Sequence, residues 1–286
     1  MIRFALAETG RLFLGLAGSL LMGVLIAAGP DMHIALGASG LFHTALAQLI
    51  AFVRLDLGST MSGAPAAVVL FGRLPPTLYL LIAGFAVALV LGVPLGLIFG
   101  SGPVRRAAAP LQQLVAAAPV FCAALALSFA TRHWLNWSAP AFDAHQPLSW
   151  QPLILPALTV GAAGAAIVQL ALRRAVADTA AAPYRQGLRR LGLSNAEIER
   201  RYDAPRVVAA LLRHLDEVVM ALLSAAAVAE WVFEYQGAAV LFVKSIALGD
   251  WNVVALITFI FASITFVAAY VGRMAAYAFI GADIAL

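Results

Sequence analysis

Cysteine and charge are both scarce in this chain. A single cysteine, Cys122, occurs among the 286 residues, which excludes an internal disulfide and any CxxC metal or redox motif. Charged residues make up only 11% of the sequence, hydrophobic residues make up 63%, and the mean hydropathy is +0.94. This composition excludes a soluble globular domain and indicates a polytopic membrane protein. The formal net charge of +4 is therefore attributed to cytoplasmic loops and not to nucleic-acid binding.

Sequence motifs of catalysis are missing as well. There is no GxxxxGK[ST] phosphate loop, no HExxH and no GxSxG, and the five histidines are scattered along the chain. We therefore expect no catalytic residue, bound cofactor or metal site in this chain. If the function needs nucleotide hydrolysis, another protein must supply it.

Six apolar stretches have about the length of 17–25 residues that a membrane-spanning helix needs. They cover residues 12–29, 77–100, 111–130, 152–172, 207–232 and 252–272. The fifth is the least regular, because Arg213, Asp216 and Glu217 lie in its first turns, where charge is tolerated only near the interface or beside a wet cavity. We predict an all-α polytopic membrane protein in which residues 1–286 form one transmembrane domain with six helices.

The basic residues predict the orientation of the spans. With the N-terminus inside, the cytoplasmic segments contain most of the arginines, whereas the outer segments contain only Arg54, Arg73, Arg132 and Lys244. The positive-inside rule therefore predicts that both termini are cytoplasmic. The outer loops near residues 131–151 and 234–251 are shorter than a domain of at least ~50 residues. Any tight solute recognition outside the cell would have to come from another chain.

A stripe of glycines runs along one face of the second span. Gly92, Gly96 and Gly100 are spaced four residues apart, with Pro94 between them, and such a stripe lets another helix approach closely. One interpretation is packing within the chain. The other is an interface or pathway-lining face of a kinked helix.

The most charged stretch, RRLGLSNAEIERRYDAP at residues 189–205, lies in the cytoplasmic loop 180–206. A first short helix is predicted from Pro183 to Leu191. Gly192 would end it in the left-handed conformation, with an apolar contact between Leu188 and Leu193. Such an ordered, charged projection suggests that something docks on it, although a solvated loop that only sets topology is the plainer interpretation.

A second short helix is predicted directly afterwards. Ser194 is its N-cap, and Glu197, three residues later, completes a capping box with Leu193 and Ile198 as the hydrophobic staple. Pro205 lies near its far end, where the chain turns into the fifth span. A DNA-reading helix-turn-helix is disfavoured because the third helix of a folded DNA-binding unit is missing.

These residues resemble the signature loop of integral membrane permeases of binding-protein-dependent ABC importers. That loop reads EAA, three residues, Gly, nine residues, then Ile-x-Leu-Pro. Gly192 and Pro205 match its glycine and proline, whereas its EAA positions are Gln186, Gly187 and Leu188 here. The stretches DLGSTMSGAPAAVVLFGRLPPTL and LPALTVG are also similar to the first permease of dipeptide, oligopeptide and nickel uptake systems.

A further outer stretch, AEWVFEYQGAAV, is similar to the family's Glu-x-Val-Phe-Gly-x-Pro-Gly-Leu-Gly. It keeps Glu230, Phe233 and Gly237 but has Glu234 and Gln236 where the family has Gly and Pro. Asp250, in IALGDWNVV, also matches the family. The resemblance implies that Glu230, Phe233, Gly237 and Asp250 lie on the outer side, at a gate or facing a binding protein.

The resemblance further implies a type I ABC importer permease in the bacterial cytoplasmic (inner) membrane. Its partners would be a second homologous permease, two ATPase subunits (a homo- or heterodimer) that use ATP and Mg²⁺, and an extracytoplasmic solute-binding protein. Loop 180–206 would be the coupling helix, with Leu193 and Ile198 as its contact core and arginines around them. The ATPase-coupling residues would be Leu188, Gly192, Leu193, Ser194, Glu197, Ile198 and Pro205.

The solute stays open at this point. Peptides come first, and nickel or a metal chelate is the alternative within the family. An ion-coupled secondary transporter is the rival from another class, and it would use Asp216 and Glu217 as intramembrane ionisable groups. Their spacing from Arg213 instead favours a local salt bridge.

Overall fold

The computed structural model describes residues 2–27, 58–98, 119–136 and 149–280, together with Ile50 and Phe142. These parts are helical apart from turns and one isolated bridge between Ser59 and Pro65, which confirms the predicted all-α class. The helices, numbered here in chain order, are α1 Ile2–Ala27, α2 Ala66–Ile98, α3 Val120–Trp134, α4 Ile154–Ala181, α5 Tyr184–Arg190, α6 Asn195–Ile198, α7 Ala204–Arg213, α8 Leu215–Val232, α9 Ala238–Leu248 and α10 Trp251–Ile280. A π-helical turn, Glu199–Asp203, connects α6 to α7.

Four of these helices are long and apolar enough to cross a membrane, namely α1, α2, α4 and α10. They correspond to the first, second, fourth and sixth predicted spans. Helix α2 begins at Ala66 and runs through Pro75 and Pro76, because membrane helices tolerate proline where neighbouring groups satisfy the freed carbonyls. Helix α4 continues to Ala181, past the point where its apolar part ends.

The third and fifth predicted spans look different. Part of the third lies outside the described residues, and its described part belongs to the 15-residue helix α3. The fifth, residues 207–232, is interrupted at His214, where α7 ends and α8 begins.

Charge explains the interruption at His214. Asp216 and Glu217 occupy the first turn of α8, where negative charge stabilises the positive end of the helix dipole. The Nδ1 atom of His214 lies 2.9 Å from Glu217 Oε1. The expected salt bridge from Arg213 is therefore wrong for Glu217, whose partner is His214.

The core of the described chain is the contact between α2 and α4. A Cβ atom placed on Gly92 would lie 2.7 Å from the Cβ of Val168, and one on Gly96 would lie 2.7 Å from the Cβ of Leu172. Both distances are too short, so the two helices approach as closely as they do only because these positions have no side chain. Gly92 and Gly96 therefore lie in an intrachain helix interface, and Gly100 lies outside the described residues.

A second contact joins the two ends of the chain. Helix α1 packs on α10, and the rings of Phe4 and Tyr277 are stacked with their centroids 4.4 Å apart. Near them Glu8 is 1% exposed and accepts hydrogen bonds from Arg11 and Arg273. The buried carboxylate thus has two cationic partners, one from each helix.

Candidate functional sites

The charged unit, defined here as residues 183–206, is ordered by its own backbone hydrogen bonds. Gly192 has φ +87°, and its N–H donates to the carbonyl of Arg189 at 3.0 Å. The N–H of Leu193 donates to the carbonyl of Leu188 at 3.2 Å. Together these bonds form a Schellman motif, which satisfies the last carbonyls of α5. Gly192 is suited to this place because other L-residues rarely adopt a positive φ.

The predicted capping box at Ser194 is present. The Glu197 N–H donates to Ser194 Oγ at 3.3 Å, and the Ser194 N–H donates to Glu197 Oε2 at 3.0 Å. Hydrogen bonds from the Ser194 backbone and hydroxyl lower the pKa of the exposed Glu197 carboxyl below its usual value. The carboxylate form is thus the one that caps α6.

Pro205, which lies in the first turn of α7, explains the π-helical turn Glu199–Asp203 that precedes it. Proline has no N–H to donate to the carbonyl four residues earlier. The neighbouring Ala204 N–H donates to the carbonyl of Glu199, five residues back, which widens the turn.

A polar clamp closes the base of the charged unit. The Tyr184 hydroxyl donates to Asp203 Oδ1 at 2.5 Å, and Arg185 Nη1 lies 3.3 Å from Asp203 Oδ2. Asp203 is 6% exposed, and burial followed by the Asp203 contact raises the pKa of Tyr184. Tyr184 therefore stays protonated and donating at neutral pH.

Arg206 strengthens the same clamp. Its guanidinium carbon lies 4.3 Å from the centre of the Tyr184 ring, a cation–π contact, and its Nη1 donates to the carbonyl of Tyr202 at 2.8 Å. The start of α5 is thus tied to the start of α7. Sequence reasoning did not single out Tyr184, Arg185, Asp203 or Arg206 as a group, because their pairing depends on the fold of the unit.

The apolar surface of the unit differs from the expected contact core. Ile198 is fully buried and Leu193 is half-buried, whereas Leu191 is 77% exposed. The expectation that Ile198 offers a docking contact is therefore wrong for this structure: its side chain helps hold α6 in place. The large apolar residue that is exposed in this unit is Leu191, the C-cap of α5.

The second candidate site is a buried carboxylate cluster of Thr77, Glu230, Gly237, Ala238 and Val240. The Thr77 hydroxyl donates to Glu230 Oε1 at 2.6 Å and accepts from the Ala238 N–H at 2.6 Å. The Val240 N–H donates to Glu230 Oε2 at 2.7 Å. Glu230 and Thr77 are both fully buried. The carboxylate of α8 thus satisfies N–H groups at the start of α9 and links them to α2.

Gly237 is required by this arrangement. A Cβ atom at position 237 would lie 2.2 Å from Glu230 Oε1 and 2.3 Å from Thr77 Oγ1. The backbone conformation of Gly237, with φ −103°, is open to other residues. Glycine is needed here for space and not for its conformational freedom.

The two departures from the family pattern near Gly237 have structural consequences. Glu234 has φ +54°, so it adopts the left-handed conformation that glycine prefers. Gln236 accepts a hydrogen bond from Arg73 of α2 through its side-chain oxygen, so the loop is held by a polar contact where the family has proline.

The other expected outer residues lie nearby. Asp250 Oδ2 accepts from the Met61 N–H at 3.2 Å, which connects the segment before α10 to the segment before α2. Phe233 is the C-cap of α8 and packs against the main core. The structure therefore brings Glu230 and Gly237 into direct contact, while Phe233 and Asp250 make separate contacts.

These features define a polytopic helical membrane protein with a structured charged projection. The family model for the binding-protein-dependent transport system inner membrane component matches residues 88–280. The chain is 28% identical over 221 residues to the glutathione transport system permease protein GsiC of Escherichia coli (strain K12), covering 75% of this chain and 70% of that protein. GsiC of Shigella dysenteriae matches to the same extent. The Brucella ovis "Putative peptide permease protein BOV_A0351" is 26% identical over 194 residues, or 64% of this chain and 60% of that protein.

Because the family model covers well over half of its length, the chain belongs to the binding-protein-dependent transport system inner membrane components. The predicted permease subunit of an ABC importer is thus confirmed, as is the multi-pass inner-membrane location. A member of this family is a transport subunit and not an enzyme. Membership also implies ATPase and binding-protein partners.

Proposed function

We propose that this chain forms half of the translocation pathway of an importer for peptides and that its charged unit docks on the partner ATPase. The observation that carries the docking proposal is the charged unit itself, which is stiffened by a Schellman motif, a capping box and a buried clamp and bears the exposed Leu191. The same unit carries four exposed arginines: Arg189, Arg190, Arg200 and Arg201. An apolar centre with a charged rim is the usual composition of a protein docking surface.

The topology proposed for this role has six spans with both termini in the cytoplasm. In that arrangement residues 1–286 form one permease domain, the charged unit faces the cytoplasm, and the carboxylate cluster lies near the outer surface. The positive-inside distribution of arginine supports it. The remaining partners are a second, homologous permease, two ATPase subunits that bind ATP and Mg²⁺, and an extracytoplasmic solute-binding protein.

Peptides are favoured as the solute because the relatives named above are permeases for glutathione, a tripeptide-sized solute, and for peptides. None of these three relatives supports nickel or a metal chelate. An ion-coupled secondary transporter is not favoured either, because Glu217 contacts His214 at the start of α8 and both residues are part of a helix end.

Copurification of the intact importer tests the docking proposal. This chain is tagged and isolated from membranes, and the ATPase that accompanies it is quantified. Leu191→Glu places a charge at the centre of the docking surface, and Gly192→Pro removes the φ +87° turn and its N–H bond to Arg189. Both variants should lose most of the ATPase, as should Glu197→Arg.

Leu248→Glu is the matched control, because Leu248 is 71% exposed at the end of α9, away from the charged unit. It should retain the ATPase. Wild-type copurification by Leu191→Glu would exclude this surface as the docking site. Transport that continues in vesicles without any ATPase would overturn the importer function altogether.

Two further measurements test the topology and the solute. In a Cys122→Ser background, a membrane-impermeant maleimide should label Leu191→Cys only from the inside and Leu248→Cys only from the outside. Mass spectrometry of the ligand that copurifies with the partner binding protein should find peptides, and a nickel chelate there would contradict the peptide assignment.

A further inference from the structure

Helix α9 is apolar but too short to cross a membrane. Its 11 residues span ~16 Å at 1.5 Å per residue, about half of the ~30 Å hydrocarbon core of a bilayer. An apolar segment of this length is either a buried core helix or a re-entrant or interfacial segment of a membrane protein. The exposure of its side chains distinguishes these possibilities.

One face of α9 is buried, and the opposite face is not. Ala238 is fully buried, and Leu241 and Phe242 pack with it against an apolar cluster shared with α2 and α10. On the opposite face Ile246 is 43% exposed and Val243 is 39% exposed. Helix α9 is therefore not a core helix, because it rests on the bundle and presents a second apolar face to its surroundings.

The exposed half of α9 has two sides. At ~100° per residue, Val243 and Ile246 lie about 60° apart, whereas Ile246 lies about 160° from Lys244, the one charged residue of this helix. Leu248 follows Lys244 by four residues and lies on the same side as the lysine. The first side is thus apolar, and the second carries the charge.

Exposed tryptophans mark one end of the bundle. All four described tryptophans lie at helix ends and are more than a third exposed: Trp134 ends α3, Trp150 precedes α4, Trp231 lies near the end of α8 and Trp251 begins α10. The two connections to which they belong meet, since the ring of Phe142, between α3 and α4, lies 4.8 Å from that of Tyr235, between α8 and α9. Exposed tryptophans at one level are typical of the aromatic belt at a membrane–water interface. Helix α9 lies at this level, because it connects Trp231 to Trp251.

We propose that α9 lies in the headgroup–acyl boundary of the outer leaflet, with Val243 and Ile246 in contact with lipid and Lys244 and Leu248 facing the water. An interfacial helix buries its apolar side ~5–10 Å into this boundary and keeps its charge in water. A docked solute-binding protein fits the apolar side less well, because a transient protein interface is only about as apolar as the rest of a protein surface. The assignment to the outer leaflet rests on the topology proposed above.

Contact with lipid would make α9 an anchor for the outer end of α8. The Val240 N–H in the first turn of α9 donates to Glu230 Oε2 at 2.7 Å, so the two helices are joined through a buried carboxylate. The outer end of α8 would then be held at the membrane surface, whichever solute is transported.

Nitroxide labelling of the importer complex in lipid nanodiscs tests the proposal. In a Cys122→Ser background, Val243→Cys, Lys244→Cys, Ile246→Cys and Leu248→Cys are each spin-labelled. Collisions of the label with oxygen, which partitions into lipid, are compared with its collisions with chromium oxalate, which stays in water. The ratio of oxygen to chromium oxalate collisions should be several-fold higher at positions 243 and 246 than at positions 244 and 248, which are the matched controls on the same helix.

Each labelled variant should copurify with the ATPase at the wild-type level. This control shows that the variant is folded, and it separates a failure of this inference from a failure of the importer function. If Val243→Cys does not assemble, Ile246→Cys reports on the same side of the helix.

Three results would overturn the proposal. Chromium oxalate collisions as frequent at positions 243 and 246 as at position 248 would place the whole exposed half of α9 in water. Infrequent collisions with both reagents would show that protein covers the apolar side, as a second permease would. A loss of oxygen collisions at position 246 on addition of the solute-binding protein would identify this side as the docking surface for that protein.

Discussion

The substitution Gly237→Ala should destabilise the protein although it adds a single methyl group. The new Cβ would lie 2.2 Å from Glu230 Oε1 and 2.3 Å from Thr77 Oγ1, and both side chains are fully buried. The φ of −103° at Gly237 accommodates alanine, so backbone strain contributes nothing. The whole effect comes from the contact with two hydrogen-bonded oxygen atoms.

The magnitude follows from the two ways in which the clash can be relieved. If the backbone shifts so that the hydrogen bonds survive, the overpacked methyl group costs about 1–3 kcal/mol. If the Glu230 carboxyl moves, the hydrogen bonds from Thr77 and Val240 are lost, and each buried polar group left without a partner costs roughly 1–3 kcal/mol. The chain takes the cheaper of the two routes, so about 2 kcal/mol is expected. At ~2–4 °C per kcal/mol for a chain of comparable size, the Tm falls by about 4–8 °C.

Thermal unfolding of the detergent-purified complex, followed by intrinsic tryptophan fluorescence at a fixed scan rate, measures this shift. Gly187→Ala is the matched control, because Gly187 lies within α5 and no atom would approach its Cβ within 4 Å. Alanine is the better helix former by roughly 0.5–1 kcal/mol, so the control should keep or slightly raise the Tm. A Tm for Gly237→Ala equal to that of the control would refute the argument that this cluster is tightly packed.

Three other predictions concern local elements. Glu234→Gly should raise the Tm by about 2–4 °C, since φ +54° costs a non-glycine residue roughly 1 kcal/mol, whereas Glu234→Ala should not raise it. Equal Tm values for the two variants would contradict the strain. Ser194→Ala should lower the amide-exchange protection factors of α6 about fivefold through loss of a cap worth ~1 kcal/mol. Because the pKa of Glu197 is lowered in the fold, the stabilisation by its carboxylate is present above the ordinary pKa and should fade as acid protonates the folded carboxyl. Protection factors in α6 that stay unchanged in acid would argue against this cap. Asp203→Ala should lower the Tm more than Tyr184→Phe, because it removes the buried carboxylate partner of Arg185, whose side chain is 13% exposed, and leaves it only the exposed Glu199. The reverse order would contradict the clamp.

Local sequence signals predicted much of this structure. The capping box at Ser194 and the turn at Gly192 depend on residues within a few positions of each other, so their spacing in the sequence is enough to identify them. The apolar runs identified the helices α1, α2, α4 and α10 for the same reason. Family membership could also be inferred, because the spacing of Gly192 and Pro205 is a sequence property.

Contacts between distant segments could not be predicted in this way. Glu230 and Thr77 lie 153 positions apart, and nothing near Thr77 signals a buried carboxylate. Ile198 was expected at a docking surface because its position in a capping motif indicates an apolar contact without saying what it contacts. The break at His214 was not predicted: the charges of Arg213, Asp216 and Glu217 mark the start of the fifth span as irregular but do not show that one helix ends there and another begins.

The two sites lie at opposite ends of one continuous set of helices. Helix α7 begins at the charged unit and ends at His214, and α8 runs from there to Glu230, whose carboxyl holds Thr77 of α2 and the first turn of α9. Helix α2 is in turn fixed to α4 by close contact at Gly92 and Gly96. If an ATPase docks on the charged unit as proposed above, a displacement of that unit would reach α8 through the break at His214. Gly272 of α10 packs directly against the end of α7 at this break, since a Cβ at position 272 would lie 2.2 Å from the Leu212 carbonyl oxygen. The packing of α10 therefore limits how far α7 can move alone, and larger displacements must carry α8 with it, together with the α2 and α9 segments that Glu230 holds.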